Sequence, residues 1–263
     1  MNRLLIFNFI YFFTSENDIL ITITRGGMMM ELVIEHLQKY FEDKHVLEDI
    51  DFRFEKGKIY GLLGRNGAGK TTLFNCLNQD IPIDQGKFYI VDGNEQRKVT
   101  TGDIGYVLST PSVPEFLTAR EFLQFFIDIN QKDIHDVKTV DEYFDFMGIL
   151  SEDRDRLLKD FSHGMKNKMQ MLINFIYNPF ILLLDEPLTS LDVVVADEMK
   201  KLLRKIKDEH ILIFSTHIME LAVDLCDEIV LLNHGVLSMV SKDELSDDEF
   251  QEKIIILLKD ESL

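Results

Sequence analysis

Cysteine is scarce. The 263 residues hold only two, Cys76 and Cys226, far apart and without metal-site spacing. A disulfide framework is excluded as the basis of the fold, and a reducing compartment fits. Cationic side chains are also in deficit, with 28 Lys and Arg against 46 Asp and Glu, a formal net charge of −18. Affinity for a phosphate backbone needs clustered Lys and Arg, so this balance argues against a nucleic-acid-binding surface. Solubility alone is an equal explanation of the acidity. Gly/Ser linkers, internal repeats and low-complexity tracts are missing, which leaves one large domain or a domain with a lobe inserted. Long apolar runs are missing too. The clearest, Leu4–Phe13 behind Arg3, resembles a signal-peptide core and is too short to span a bilayer as a helix.

That N-terminal run precedes Met28, Met29 and Met30, after which Leu32-Val-Ile34 reads at once as a strand. Arg25-Gly26-Gly27 is what a purine-rich ribosome-binding site would encode if translated. Residues 1–29 are therefore expected to be an extension from an upstream start codon, and 30–263 the domain. A membrane-touching segment is the alternative. With 46% hydrophobic residues, the domain can bury a sizeable core.

What is present centres on Gly61-Leu-Leu-Gly-Arg-Asn-Gly-Ala-Gly-Lys-Thr-Thr72. Lys58 to Leu63 reads as a buried strand, and Thr71 to Leu77 as the start of a helix. Strand, glycine loop and helix N-terminus in that order form a phosphate cradle. Gly64, Gly67 and Gly69 let the backbone turn its N–H groups inward. Lys70 supplies a full charge at the β- and γ-phosphates, and Thr71 a hydroxyl for magnesium. A chance match to the four fixed positions is expected in roughly 1% of chains this long.

Around the loop, Leu32 to Leu63 reads as β, with Ile50, Phe52 and Phe54 alternating with Asp51 and Arg53. Lys87–Val91 and Ile104–Val107 are short strands. From about 111 to 165 the chain turns helical: Phe122, Phe125, Phe126 and Ile129 recur at helical spacing, and Thr118 with Glu121 makes a capping box. Asp141–Ile149 and Asp153–Phe161 are expected to be further helices of this inserted block. Phe180–Leu184 is a continuous apolar run, as in a central parallel strand. It ends in Asp185-Glu186-Pro187. Val193–Glu209 reads as an amphipathic helix, Ile211–Phe214 as a buried strand ending at Ser215-Thr-His217, and Ile229–Val240 as a hairpin. Asp247–Lys259 is expected to be a helix that packs back on the domain.

An apolar strand ending in an acid is the second half of a triphosphate site. Asp185 can hold magnesium, commonly through water, and Glu186 can accept a proton from an attacking water. His217, at the carboxyl end of the next strand, faces the ligand crevice and can sense the γ-phosphate.

Together these residues resemble the ATP-binding subunit of an ABC transporter from about Leu32 to Val240. Gly64–Thr71 is similar to the Walker A motif, Phe180–Asp185 to Walker B, Ser190-Leu-Asp192 to the D-loop and His217 to the switch histidine. Phe161-Ser-His-Gly-Met165 stands where the family has Leu-Ser-Gly-Gly-Gln, the motif specific to it. Tyr40 matches the aromatic that stacks on adenine.

The resemblance implies an α/β fold: a RecA-like P-loop core with an N-terminal antiparallel β subdomain and an inserted helical subdomain. It implies ATP and Mg2+ as ligands. Gly64, Arg65, Asn66, Gly67, Ala68, Gly69, Lys70, Thr71, Thr72 and Tyr40 would hold the nucleotide. Thr71, Asp185 and Ser109 would stand at the metal, with Glu186, His217 and Lys70 catalytic. Head-to-tail dimers, homomeric or paired with another ATPase subunit, would place Ser162 and Gly164 over the γ-phosphate held by Lys70 of the partner subunit. The subunit would be cytoplasmic, peripheral on the inner membrane face through a separate integral permease, and would not touch the transported substrate.

Two departures stand out. The signature has His163 and Met165 where Gly and Gln are usual; similar degenerate signatures occur in the subfamily resembling bacitracin and lantibiotic export and self-immunity ATPases, a resemblance that suggests export of a peptide or drug. The Q-loop glutamine is replaced by Ser109, which implies slower hydrolysis or altered coupling. An importer, and a non-transport ATPase acting on ribosomes or DNA, are the alternatives. The second is disfavoured by a single P-loop, the lack of a long coiled-coil insert and the acidic balance. An inactive binding module is disfavoured because Lys70, Asp185, Glu186 and His217 are all present.

Overall fold

The computed structural model describes residues 30–42, 44–134, 137–188 and 191–240. The expected N-terminal extension and the expected C-terminal helix lie outside the described residues, as does Ser190.

The described residues begin with a hairpin, β1 (Met30–Phe41) and β2 (Lys44–Glu55), and enter β3 (Ile59–Leu63), the glycine loop and α1 (Lys70–Leu77). Next come β4 (Gln85–Asp92), β5 (Glu95–Lys98) and β6 (Ile104–Val107). Two helices follow, α2 (Ala119–Ile129) and α3 (Val140–Met147), then α4 (His163–Tyr177) and β7 (Ile181–Asp185). The described chain closes with α5 (Val193–Ile206), β8 (Ile211–Thr216), α6 (Met219–Leu225), β9 (Glu228–Asn233) and β10 (Val236–Val240).

One sheet is antiparallel, in the order β2-β1-β4-β5. The other runs β10-β9-β3-β8-β7-β6 and is parallel except for the β9–β10 hairpin. Its central strands β3, β7 and β8 are buried along their whole length. Alternation then sends neighbouring side chains to opposite cores. Ile181 and Leu183 pack towards α1 and the antiparallel sheet, with Tyr60, Leu62, Phe74 and Ile90. Leu182 and Leu184 pack towards the helices, with Leu123, Phe144, Leu172 and Leu203. The parallel sheet is thus covered on both faces, and the carboxyl ends of β3, β7 and β8 meet at one edge.

The expected helix over Asp153–Phe161 does not form. That stretch is turns and a single 3-10 turn at Leu158–Asp160. Its backbone pairs instead with the start of α2. Ala119 N–H donates to the Arg156 carbonyl, Arg120 N–H to Arg154, and Leu158 N–H to Leu117. A helix would need those groups for itself. The Thr118–Glu121 capping box is present as expected. Two elements had no periodic signal: β5, exposed at all four residues, and the short α6. The helix expected over Val193–Glu209 is α to Ile206 and then one 3-10 turn.

Candidate functional site

The glycine loop leaves β3 and takes a left-handed backbone at Gly67 (φ 84°) and Gly69 (φ 106°), conformations that side chains with a Cβ avoid. Gly69 is also crowded: a Cβ there would lie 3.2 Å from Leu47 Cδ2. Gly64 is required for proximity, since a Cβ would sit 3.0 Å from the Leu232 carbonyl oxygen.

Lys70 opens α1 with only 5% of its surface exposed. Its ammonium donates to the carbonyls of Gly64 (2.7 Å) and Arg65 (3.0 Å) and stands 3.7 Å from a Glu186 oxygen. Burial pushes its pKa down, and the carboxylates of Glu186 and Asp185 oppose that shift.

Asp185 ends β7 with 3% exposure. One carboxylate oxygen accepts from the Thr71 hydroxyl at 2.8 Å. The other accepts from Ser215 Oγ at 2.5 Å. Ser215 lies opposite Asp185 in the parallel β7–β8 register and is fully buried. The same Ser215 Oγ accepts the Glu186 backbone N–H at 3.0 Å. Glu186 adopts φ 48°, the left-handed region that a non-glycine residue rarely enters. That turn separates its side chain from the direction Asp185 takes. A Glu186 oxygen lies 3.0 Å from His217 Nδ1.

Lys70, Thr71, Asp185 and Glu186 border one cleft of about 420 Å3, lined also by Phe41, Lys44, Val46, Arg65, Asn66, Gly67, Gly69, Thr72 and Ser109, while Ser215 and His217 stand behind Asp185 and Glu186. A second cavity, of about 510 Å3, shares Lys44, Val46, Arg65, Asn66 and Gly67 and adds Ala68, His45 and the β9–β10 turn. The expected loop residues and Ser109 are therefore brought together. Tyr40 stands apart from them: its ring stacks on His45, with centroids 4.0 Å apart at 13°, and its hydroxyl donates to Gln38. The aromatic at the cleft is its neighbour Phe41, with Lys44 beside it. Neither Phe41, Lys44 nor Ser215 was singled out in the sequence. Tyr40 was expected there because it matches the aromatic that stacks on adenine in the family, about two dozen residues before Gly64.

Ser162 and Gly164 do not join this cleft. Ser162 caps α4, its Oγ accepting from Met165 N–H at 3.2 Å. It lines a separate cavity of about 560 Å3 with Gly164, Leu191 and Asp192, and no lining residue is common to the two. Gly164 lies against Leu191, whose Cδ2 would be 3.1 Å from an added Cβ.

The family of ABC transporters matches residues 47–189, more than half of the chain. This chain belongs to the ABC transporter family. Its relatives by sequence include an uncharacterized ABC transporter ATP-binding protein of Methanocaldococcus jannaschii, 33% identical over 79% of this chain and 76% of that protein. The bacitracin transport ATP-binding protein BcrA of Enterococcus faecalis is 31% identical over 80% and 69%. The sulfate/thiosulfate import ATP-binding protein CysA of a Synechocystis strain is 30% identical over 82% and 61%. Among solved structures, an ATP-binding subunit of an ABC transporter superposes with a TM-score of 0.70 at 22% identity, over 87% of this chain and 99% of that one. A Clostridium perfringens subunit, cbiO1 of the transporter complex cbiONQ, superposes at 0.67 and 24%, over 86% and 94%. The structural likenesses establish the fold. The chain is an ATP-binding subunit of the ABC class, whose members hydrolyse ATP to power transport. No described helix is long and apolar enough to cross a membrane.

Proposed function

We propose that two copies of this chain, or this chain and a paired ATPase subunit, close head to tail over two ATP molecules and drive a separate membrane permease. The observation that carries this reading is the division of the site. Lys70, Asp185 and Glu186 line one cleft, with His217 against Glu186, while Ser162 and Gly164 face a different cavity on the same chain. A phosphate held in the cleft meets the signature only if a second copy presents it.

In the cleft, loop N–H groups and Lys70 cradle the phosphates. Phe41 offers its ring to the base. Thr71 and Asp185 are hard oxygen donors already 2.8 Å apart, and they suit Mg2+, with Ser109 on the same wall. A magnesium ion bound there would neutralise charge at the β- and γ-phosphates. Glu186 is the base for the attacking water, and His217 orients it through Nδ1. Domain 30–263 is the ATPase unit, and a location at the inner membrane face follows from its permease.

Export of a peptide or drug is favoured by the Ser-His-Gly-Met signature and the likeness to BcrA. The comparable likeness to CysA keeps import as the second reading. The test is Glu186→Gln. It is expected to lower kcat by roughly 10²–10⁴-fold while ATP still binds and holds a dimer detectable by sedimentation. Hydrolysis at the wild-type rate would remove Glu186 from its role, and failure to dimerise on ATP would remove the head-to-tail assembly.

A further inference from the structure

Lys39, near the end of β1, is a charged side chain with only 7% of its surface exposed. A buried ammonium is costly unless it is paired. Its partner is Asp84, in the loop before β4, whose Oδ2 lies 3.1 Å from the ammonium. Asp84 also fastens the backbone on either side of Lys39. The same Oδ2 accepts the Tyr40 N–H at 2.7 Å, and the Asp84 N–H donates to the Gln38 carbonyl at 3.0 Å. Three successive residues of β1 are thus tied to one acid across the last register slip, between Lys39 and Tyr40. Phe41, the next residue, has 47% of its surface exposed and borders the nucleotide cleft. The Lys39 ammonium sits over its ring, 5.3 Å from the centroid. A cation that close to a ring face is attracted by the ring's quadrupole. Lys39 is not among the residues lining the cleft. A methionine would fill its buried volume without the cost of the charge, so the charge calls for a role beyond packing.

Resting on the reading above that Phe41 offers its ring to the base, we infer that Lys39 is a positioning residue for ATP: fixed by Asp84, its ammonium holds the Phe41 ring by one face and leaves the opposite face to the base. An exposed ring is otherwise free to change rotamer, and binding would have to order it. A ring held in place beforehand spares that cost. The cation acts only through the ring. Its effect therefore exists only for a ligand that has a base, and only while Phe41 is present.

The experiment uses the full chain carrying Glu186→Gln, so that ATP is not consumed. Equilibrium affinities for ATP and for inorganic triphosphate, which has no base, are measured with magnesium by displacement of a fluorescent ATP analogue. Lys39→Met is compared with its parent, and the comparison is repeated with Phe41→Ala in both chains. Loss of one cation–ring contact is expected to weaken ATP about threefold and triphosphate not at all. With Phe41→Ala present, Lys39→Met should change neither affinity. Lys39→Arg keeps a cation over the ring and should restore the affinity for ATP. Asp84→Asn leaves Lys39 in place and releases its ammonium. It covers a Lys39→Met chain that does not fold, and should show the same selective loss. No loss of ATP affinity, or an equal loss with and without Phe41, overturns the inference alone. Unchanged ATP affinity in Phe41→Ala itself overturns the stacking on which it rests, and the inference with it.

Discussion

Ser215→Ala is the most informative perturbation of the nucleotide cleft that touches neither nucleotide nor loop. The Ser215 hydroxyl is fully buried and donates to the Asp185 carboxylate at 2.5 Å. A hydrogen bond to a charged group contributes about 1.5–3 kcal/mol. The same oxygen accepts the Glu186 N–H, and leaving that partly buried donor unmatched costs about 1 kcal/mol more. The volume lost is one oxygen atom, so the cavity contribution is small. A total near 3 kcal/mol lowers Tm by roughly 6–12 °C in a domain of this size, at about 2–4 °C per kcal/mol. Calorimetry on Ser215→Ala, Asp185→Asn and the double variant would apportion the effect. The two sites should couple, with the double variant costing clearly less than the sum of the singles. Glu186 hangs from the same oxygen through its backbone, so kcat should fall more than the affinity for ATP. An unchanged Tm together with additive single effects would refute the reasoning, because it would mean that Ser215 does not hold Asp185.

Three further outcomes follow from the same geometry. Phe41→Ala should weaken ATP binding by about tenfold or more, since base stacking on an aromatic contributes roughly 1–3 kcal/mol. Tyr40→Ala should leave it nearly unchanged, and equilibrium titration with a fluorescent ATP analogue would reveal a reversal of that order. Ser109→Gln should raise the rate of magnesium-dependent hydrolysis or its coupling to the permease. Steady-state kinetics across a magnesium series would show no change if Ser109 is irrelevant to the metal. Burial pushes the Cys76 thiol up to about 11, so the reactive thiolate is nearly absent at about pH 8. Cys226 is buried as well. Thiol reagents should therefore label the native protein only at the rate of unfolding, and rapid labelling without denaturant would contradict the packing described.

Signals within one strand or one loop were legible in the sequence because their cause is local. Glycines at φ 84° and 106°, a lysine opening a helix and an apolar strand ending in Asp185-Glu186 are each required by the chain that immediately surrounds them. The continuous apolar runs of β3, β7 and β8 likewise disclosed a sheet covered on both faces, because both faces of such strands must shed water and polar groups are confined to their carboxyl ends. The placement of His217 against Glu186 was also foreseeable, since adjacent parallel strands end at the same edge.

Relations between distant segments were decided only by the tertiary structure. Strand β1 slips its pairing with β2 between Ile34 and Leu37, between Leu37 and Lys39, and again between Lys39 and Tyr40. Each bulge breaks the period-two count, and a slip of one residue exchanges the faces of a strand. Beyond those slips it is Phe41, and not Tyr40, that lines the cleft. Residues 153–161 carry helical periodicity, yet their backbone is taken up by the start of α2. Ser215 is one serine among many until the β7–β8 register sets it opposite Asp185. Phosphate-binding chemistry was thus written into the local pattern of the chain. Which aromatic faces it, which hydroxyl steadies it and how far the signature stands from it depend on register and packing, and no short window of sequence contains those.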